Sequence, residues 1–430
     1  MERYREYKDS GEQWLGEIPS HWDFLYLRVL LKENSIQNSE GNVTSQLQFK
    51  YGSIIKKDNQ DVDSDVIDTI SKYTIVLPGD IVINGLNLNY DFVSQRIGQV
   101  EELGVITSAY ICLRPTNYAN RKYLLYLLKA MDGIKLFHGM GTGVRMTLSY
   151  KELKNKRLPV PPLSEQTAMV AYLDRVTVQI DKAIAQQQRM IDLLNERKQI
   201  IIQHAVTKGL DPNAEMVDSG VEWIGEMPKG WKSTPLRFVF EMRNGYTPSK
   251  NDPSFWNGGT IPWFRMEDIR KRGRFLKEAT QYVTTKAVNG KGTFSAGSYI
   301  MAICTASIGE HAMLIADSQA NQQFANFKIC KSLSSLYSPM FLYYYFFVIG
   351  DFCRHNENST CFQYVDMDAL KNFPILQPSM KIQNEIVSFL DKNLERLEVT
   401  LKQTEKRISL LRERKQIIIN EVVTGKVKVN

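Results

Sequence analysis

Between residues 263 and 277 six basic side chains, Arg265, Arg270, Lys271, Arg272, Arg274 and Lys277, crowd around Trp263, Phe264 and Phe275. Only Glu267, Asp268 and Glu278 stand near them as acids. Guanidinium and ammonium groups neutralise phosphates, and arginine can donate two hydrogen bonds to a guanine edge in the major groove. A solvated charged turn accounts for the same residues equally well. Two polar loops add to the candidates: Gly139-x-Gly141-Thr142-Gly143-x-Arg145 and Asn358-Ser359-Thr360-x-x-Gln363 occupy matching places ahead of proline-led segments. Small polar residues let a backbone approach a duplex closely, and they also make ordinary tight turns. The candidate DNA contacts are therefore Thr142, Arg145, Trp263, Arg265, Arg270, Lys271, Arg272, Arg274, Thr360 and Gln363.

Catalytic patterns are missing. An adenine methyltransferase needs an Asn/Asp-Pro-Pro-Tyr/Phe motif, and Pro161-Pro162 has the wrong neighbours. A nucleotide-binding loop needs Gly-Lys-Ser/Thr, and both Gly290-Lys291-Gly292 and Gly425-Lys426-Val427 fail at the last position. Glu152-Leu153-Lys154, with Asp132 upstream, has the form of a nuclease Glu-x-Lys, but the charged face of a short helix is the simpler account. Cys353, His355 and Cys361 match no standard zinc spacing. The expectation is a chain with no catalysis, metal or cofactor of its own.

The elements that must hold these candidates are written twice. Asp9-Ser10-Gly11-x-x-Trp14-x-Gly16-Glu17-x-Pro19-x-x-Trp22 returns 209 residues later as Asp218-Ser219-Gly220-x-x-Trp223-x-Gly225-Glu226-x-Pro228-x-x-Trp231. A second block, Gln166-x-x-x-Val170-x-x-Leu173-Asp174 through Leu193-Leu194-x-Glu196-Arg197-Lys198-Gln199-Ile200-Ile201-Ile202, returns 217 residues later as Gln383 to Asp391 and Leu410 to Ile419. Such self-similarity marks a repeated architecture, here motif, variable segment and helix, then the same three again.

Each helical block carries a heptad stripe. Leu173, Thr177, Ile180, Ile184, Gln187, Ile191, Leu194, Lys198 and Ile201 alternate spacings of four and three. Leu390, Leu394, Leu397, Leu401, Thr404, Ile408, Leu411, Lys415 and Ile418 repeat them. Prolines precede each helix (Pro159, Pro161, Pro162; Pro374, Pro378), and Gly209 and Gly425 stand near their ends. About 40 residues at 1.5 Å each predict rods on the order of 60 Å long. Two apolar stripes in one chain most simply bury each other. An antiparallel pairing with a pseudo-two-fold axis would bring Gln187 and Thr404 close together at the centre.

The variable segments, 29–158 and 238–373, show short β-rich runs broken by turn residues, as in Tyr73 to Ile83 and Gly297 to Ile303, followed by aromatic helical stretches. The fold class expected is α+β: two α/β recognition domains joined by two long helices packed as an antiparallel coiled coil, in a pseudo-two-fold internal repeat. The boundaries expected are 1–158, 159–210, 211–373 and 374–430. With 430 residues, 43% hydrophobic, 23% charged and a net charge of +7, the chain is a globular, modestly basic protein suited to a polyanionic partner. Five scattered cysteines fit a reducing cytoplasm, no secretory leader is read at the N-terminus, and the longest apolar run, Phe341 to Ile349, is too short for a membrane span of about 20 residues.

The Asp-Ser-Gly-x-x-Trp-x-Gly-x-x-Pro-x-x-Trp motif, the Leu158-Pro159-Val160-Pro161-Pro162-Leu163-Ser164-Glu165-Gln166 lead-in and the Arg-Lys-Gln-Ile-Ile-Ile helix end together resemble type I restriction-modification specificity subunits, over nearly the whole chain. In the second copy the lead-in reads Pro374-Ile375-Leu376-Gln377-Pro378-Ser379, without the double proline or the adjacent Glu-Gln pair. The resemblance implies two target-recognition domains, each reading half of an interrupted sequence on double-stranded DNA, with the helices setting the gap. It implies docking of two modification subunits, which bind S-adenosylmethionine and methylate adenine N6, and of motor-nuclease restriction subunits, with ATP and Mg also serving those partners. Trp14, Trp22, Trp223 and Trp231, fixed in the repeated part, are expected to serve structural packing or modification-subunit contact. A coiled-coil scaffold binding proteins, or an orphan DNA-binding protein without restriction partners, is the alternative that the repeat alone leaves open.

Overall fold

The computed structural model describes residues 2–50, 52–57, 64–89, 92, 95–143, 146–355, 357–358 and 364–429. The chain divides into two compact units, Met1–Gln188 with Glu405–Asn430, and Arg189–Thr404. Each unit thus owns half of each long helix.

The helices run Leu163–Lys208 and Met380–Val423. Neither contains Pro or Gly; the first is rich in Gln, Ala and Leu and the second in Leu, Glu, Lys and Arg, all of which lose little freedom in a helix. They stop at Gly209 and Gly425, whose φ values of 75° and 72° suit glycine at a helix C-terminus. All eighteen stripe positions, Leu173 to Ile201 and Leu390 to Ile418, are buried or half-buried, Gln187 half-buried and Thr404 buried among them. In the first unit the two helix segments run antiparallel: Leu173 shares a core with Ile419, Val422 and Val423, and further along Asp181 pairs with Lys415 at 2.7 Å. In the second unit Ile202, Ala205 and Val206 share a core with Ile386, Leu390 and Leu394, and Lys198 meets Glu398 at 3.3 Å, again antiparallel.

The globular parts repeat one plan. A hairpin carries the tryptophan motif, Tyr7–Asp9 with Glu17–Pro19 in the first unit and Met216–Val221 with Gly225–Pro228 in the second. A strand after it pairs with the strand before the long helix: Asp23–Tyr26 with Arg157–Val160, and Lys232–Pro235 with Pro374–Gln377. Inside, the first unit has a four-stranded antiparallel sheet ordered Leu31–Glu33, Ile111–Pro115, Ile81–Ile83, Ile97–Gln99. The second has Phe240–Asn244, Phe324–Ile329, Tyr299–Ala302, His311–Leu314, with Phe275–Leu276 added in parallel at the edge. A helix then covers each sheet, Arg121–Gly133 and Pro339–His355; the apolar run from Phe341 lies in the latter and is buried save for Phe347. The units differ in what is inserted: the second adds a three-stranded sheet of Gln281–Val283, Ile261–Phe264 and Gln319–Ala320.

Candidate nucleic-acid interface

The basic stretch of the second unit is a strand, a short helix and a turn. Strand Ile261–Phe264 delivers Arg265 as the cap of helix Met266–Arg272, where Asp268 accepts from the Arg265 backbone N–H at 2.9 Å, and Gly273 at φ 74° ends the helix. Trp263 is only 3% exposed; its indole N–H donates to the Tyr246 carbonyl at 3.0 Å and its ring meets Trp256 edge-on. Its expected role at the DNA surface is corrected: Pro262, Trp263 and Phe264 are all buried along a strand covered on both faces, and this ring packs with Val283, Ala287 and Val288. Arg274 is likewise engaged inside the protein. Its guanidinium donates to Asp391 on the long helix and to the Tyr344 hydroxyl, both at 2.8 Å, and lies over the rings of Tyr343 and Tyr344.

The other basic groups lie at the surface, but unequally. Arg270 pairs with Glu310 at 2.6 Å, Arg272 with Glu278 at 3.4 Å, and Arg265 with Glu267. Lys271 and Lys277 are exposed and have no ion-pair or hydrogen-bond partner among the described residues. Thr142 is exposed on a loop whose backbone pairs Thr142 with Thr147 in both directions at 3.0 Å. Arg145, Thr360, Gln363 and Cys361 lie outside the described residues.

Two repeated clamps join each globular part to its helix, and sequence reasoning missed both. Gln166, fully buried, accepts from the Asn120 backbone N–H and donates to the Pro161 carbonyl, each at 2.7 Å. Gln383, its repeat, accepts from the Ser338 N–H at 2.7 Å and donates to the carbonyls of Leu336 and Pro378. Further along each helix, Asp174 accepts from the Tyr126 hydroxyl and from Lys122, while Asp391 accepts from Tyr344 and Arg274. The signal was present: Gln and Asp recur at identical places in the two copies of the helix block.

The comparisons with known proteins agree on one family. A model described as the type I restriction modification DNA specificity domain matches residues 51–188 and again 228–409. The chain belongs to that family. The Escherichia coli type I restriction enzyme EcoprrI specificity subunit is 41% identical over 179 residues, 40% of this chain, which spans 42% of that relative's length. A Methanocaldococcus jannaschii protein assigned as the specificity subunit of a type I restriction enzyme, MjaX, is 23% identical over 448 aligned positions covering 96% of both chains. In three dimensions, a chain from a structure concerned with assembly and conformational transition of the type I R-M system superposes with a TM-score of 0.66 at 14% identity, over 95% of this chain and 99% of that one; it shows the fold.

Specificity subunits are non-catalytic, and the residues that could suggest otherwise have structural uses here. Glu152 caps its own short helix by accepting from the Ser149 N–H at 2.8 Å. Burial pushes the Cys353 thiol up to about 12. Among the described residues no helix is long and apolar enough to cross a membrane. The tryptophans of the repeated motif divide in two. Trp22 is fully buried and Trp231 is 8% exposed, packed near the helix ends at Gly425 and Gly209, so of the two expected uses these two serve structural packing rather than partner contact. Trp14 and Trp223 are half-buried, the latter stacked on Phe373 at 5.1 Å.

Proposed function

We propose that this chain is the DNA sequence-recognition subunit of a type I restriction-modification complex, binding a split target and directing partners to methylate adenine N6 or to restrict unmethylated DNA. The observation that carries the reading is one frame used twice with different surfaces. The buried glutamine clamps and half-buried aspartate clamps recur in both units, whereas the second unit adds a three-stranded sheet that the first does not show among the described residues. Two unlike readers on like mounts suit an asymmetric interrupted site. The boundaries 1–158, 159–210, 211–373 and 374–430 then correspond to reader, spacer helix, reader, spacer helix.

The partners on this reading are two modification subunits and the restriction subunits, working in the cytoplasm, with S-adenosylmethionine, ATP and Mg bound by them and the target adenine flipped out for methylation. Surface for two equivalent partners exists in duplicate: Leu193 and Ile200 are 51% and 57% exposed, and their repeats Leu410 and Ile417 are 54% and 47% exposed. Large apolar side chains exposed at the same two places in both copies are a repeated docking feature. Of the motif tryptophans, Trp14 and Trp223 remain available to the same partners.

The test is methylome sequencing of cells carrying the modification subunit with and without this chain. N6-methyladenine that depends on the chain and falls in two short blocks separated by a fixed unspecified gap is the expected result; a soluble complex that yields no such motif overturns the reading.

A further inference from the structure

After strand Ile81–Ile83 the first unit carries an asparagine-rich loop, Asn84-Gly85-Leu86-Asn87-Leu88-Asn89, which belongs to neither repeated block. Its backbone is fixed from within. The Arg96 side chain, 2% exposed, donates from one guanidinium nitrogen to the carbonyls of Asn84 and Leu86, at 3.1 and 2.8 Å, and from the other to that of Asn87 at 3.4 Å. Leu88 is buried in the unit's core, and its N–H donates to the Met146 carbonyl at 3.2 Å, while the Leu148 N–H donates to the Gly85 carbonyl at 2.9 Å. The loop is thereby joined to the Gly141–Thr142–Gly143 turn. Neither Gly85 nor Gly141 could bear a side chain: a Cβ on Gly85 would lie 2.5 Å from the Leu148 oxygen, and one on Gly141 2.8 Å from the Met146 carbonyl carbon.

Two further features separate this loop from an ordinary turn. Among the described residues only three non-glycine residues have positive φ, and two of them, Asn87 at 51° and Met146 at 45°, lie in this loop pair. Such backbone is costly and persists where the surroundings over-determine it. Asn84 spends its side chain locally, accepting from the Leu86 N–H. Asn87 and Asn89, on either side of the buried Leu88, are exposed, and their amides have no hydrogen-bond partner among the described residues. A rigid backbone presenting two free carboxamides is costly to build and is arranged for an external donor-acceptor edge. An asparagine amide matches adenine in the major groove, accepting from N6–H and donating to N7.

We propose that Asn87 and Asn89 read an A·T-containing half of the target, with Arg96 as the positioning residue that holds the loop; this rests on the DNA-recognition reading above. The second unit has no counterpart: the matching connection, from Ala302 to His311, is shorter and contains no asparagine.

The test is binding of the assembled complex to duplexes carrying each single base-pair substitution of the target found by methylome sequencing. Asn87→Asp keeps shape and tolerates the left-handed backbone, but replaces the donor with a second acceptor. It is expected to lose roughly 10- to 100-fold discrimination at one A·T pair in one block, the scale of one bidentate base contact. Asn89→Ala should act in the same block, and Arg96→Lys should blunt the same pairs, with the other block unchanged throughout. Wild-type discrimination in the Asn87→Asp and Asn89→Ala complexes, or equal loss in both blocks, overturns the proposal. A wild-type complex with no split-site preference at all would instead overturn the functional reading beneath it.

Discussion

In the first unit three side chains of the N-terminal segment converge on one carboxylate: Tyr4 donates to Glu165 at 3.0 Å, the Trp22 indole at 3.1 Å, and the His21 ring lies 2.6 Å away. In the second unit the repeat positions of Tyr4, His21 and Glu165 are Asn213, Gly230 and Ile382, and only the tryptophan survives, as Trp231. One joint therefore closes tightly on a helix carboxylate; the other lacks that carboxylate and is tied instead by Lys208, which donates to the carbonyls of Ile224 and Glu226. The same contrast appears at the helix ends. A Cβ on Gly425 would lie 2.8 Å from both Pro19 Cγ and the Trp22 ring, whereas one on Gly209 would lie 3.3 Å from the Trp231 ring. A duplicated frame can keep its geometry while each copy settles it with different chemistry.

Gly425→Ala is the sharpest way to break this symmetry. It forces a left-handed backbone on alanine and overpacks a fully buried tryptophan, costs that together come to about 3 kcal/mol or more. Gly209→Ala carries the backbone strain with little of the overlap, about 1–2 kcal/mol. Urea denaturation should rank the two variants in that order; equal losses would mean that the joints are equally tight.

The units should also fail at different pH. In the second, His311 is buried with its two ring nitrogens 2.9 and 3.1 Å from the carbonyls of Gly309 and Tyr343. Burial, with Arg354 and Lys198 adding repulsion, lowers its pKa from 6.5 to about 4 despite those carbonyls. The unfolded chain takes up a proton near 6.5 that the fold refuses until about 4, so stability falls as pH drops through that window, by about 3 kcal/mol at most. His311→Gln keeps a donor and should flatten this limb. In the first unit burial opposes ionisation of Glu165, but hydrogen bonds from His21, Trp22 and Tyr4 outweigh it and hold the pKa below 4.5. That contribution is present above the unfolded carboxylate pKa and fades as pH falls through the lower folded value. Glu165→Gln should cost about 1–2 kcal/mol near neutrality and erase that acid dependence. Urea titrations at stepped pH separate the two windows; a single shared acid limb insensitive to both variants would remove the contrast.

Periodicity made the frame legible, because a heptad stripe and a repeated motif are local signals. Strand runs such as Thr74 to Ile83 and the buried aromatic helix after Pro339 were readable for the same reason. What the sequence hid is long-range. Glu165 meets residues more than 140 positions away, and each long helix is shared between two compact units, which no local pattern announces. A basic-aromatic cluster does not reveal which members the protein uses itself: Pro262, Trp263 and Phe264 are all buried along their strand, and an aspartate 117 positions on pairs with Arg274. The asparagine loop escaped notice because its amides are informative only once the arginine that fixes the backbone beneath them is seen.

The smallest expected effect bears on how the second unit holds DNA. Its arginines on helix Met266–Arg272 already carry carboxylates, so a phosphate that recruits Arg270 or Arg272 must displace Glu310 or Glu278, and the net gain is small. Lys271 and Lys277 carry none, which makes them the available phosphate ligands. Removing one lysine–phosphate pair should reduce the slope of log affinity against log salt by about 0.9 and weaken binding uniformly across sequences. Lys271→Ala and Lys277→Ala complexes should therefore bind a few-fold more weakly at low salt, converge on wild type at high salt and keep the wild-type motif. A changed motif would make these lysines base readers, and an unchanged slope would place the second unit's grip on DNA elsewhere than this helix. Either outcome would redraw the contrast between a unit that presents free amides and one that presents free charge.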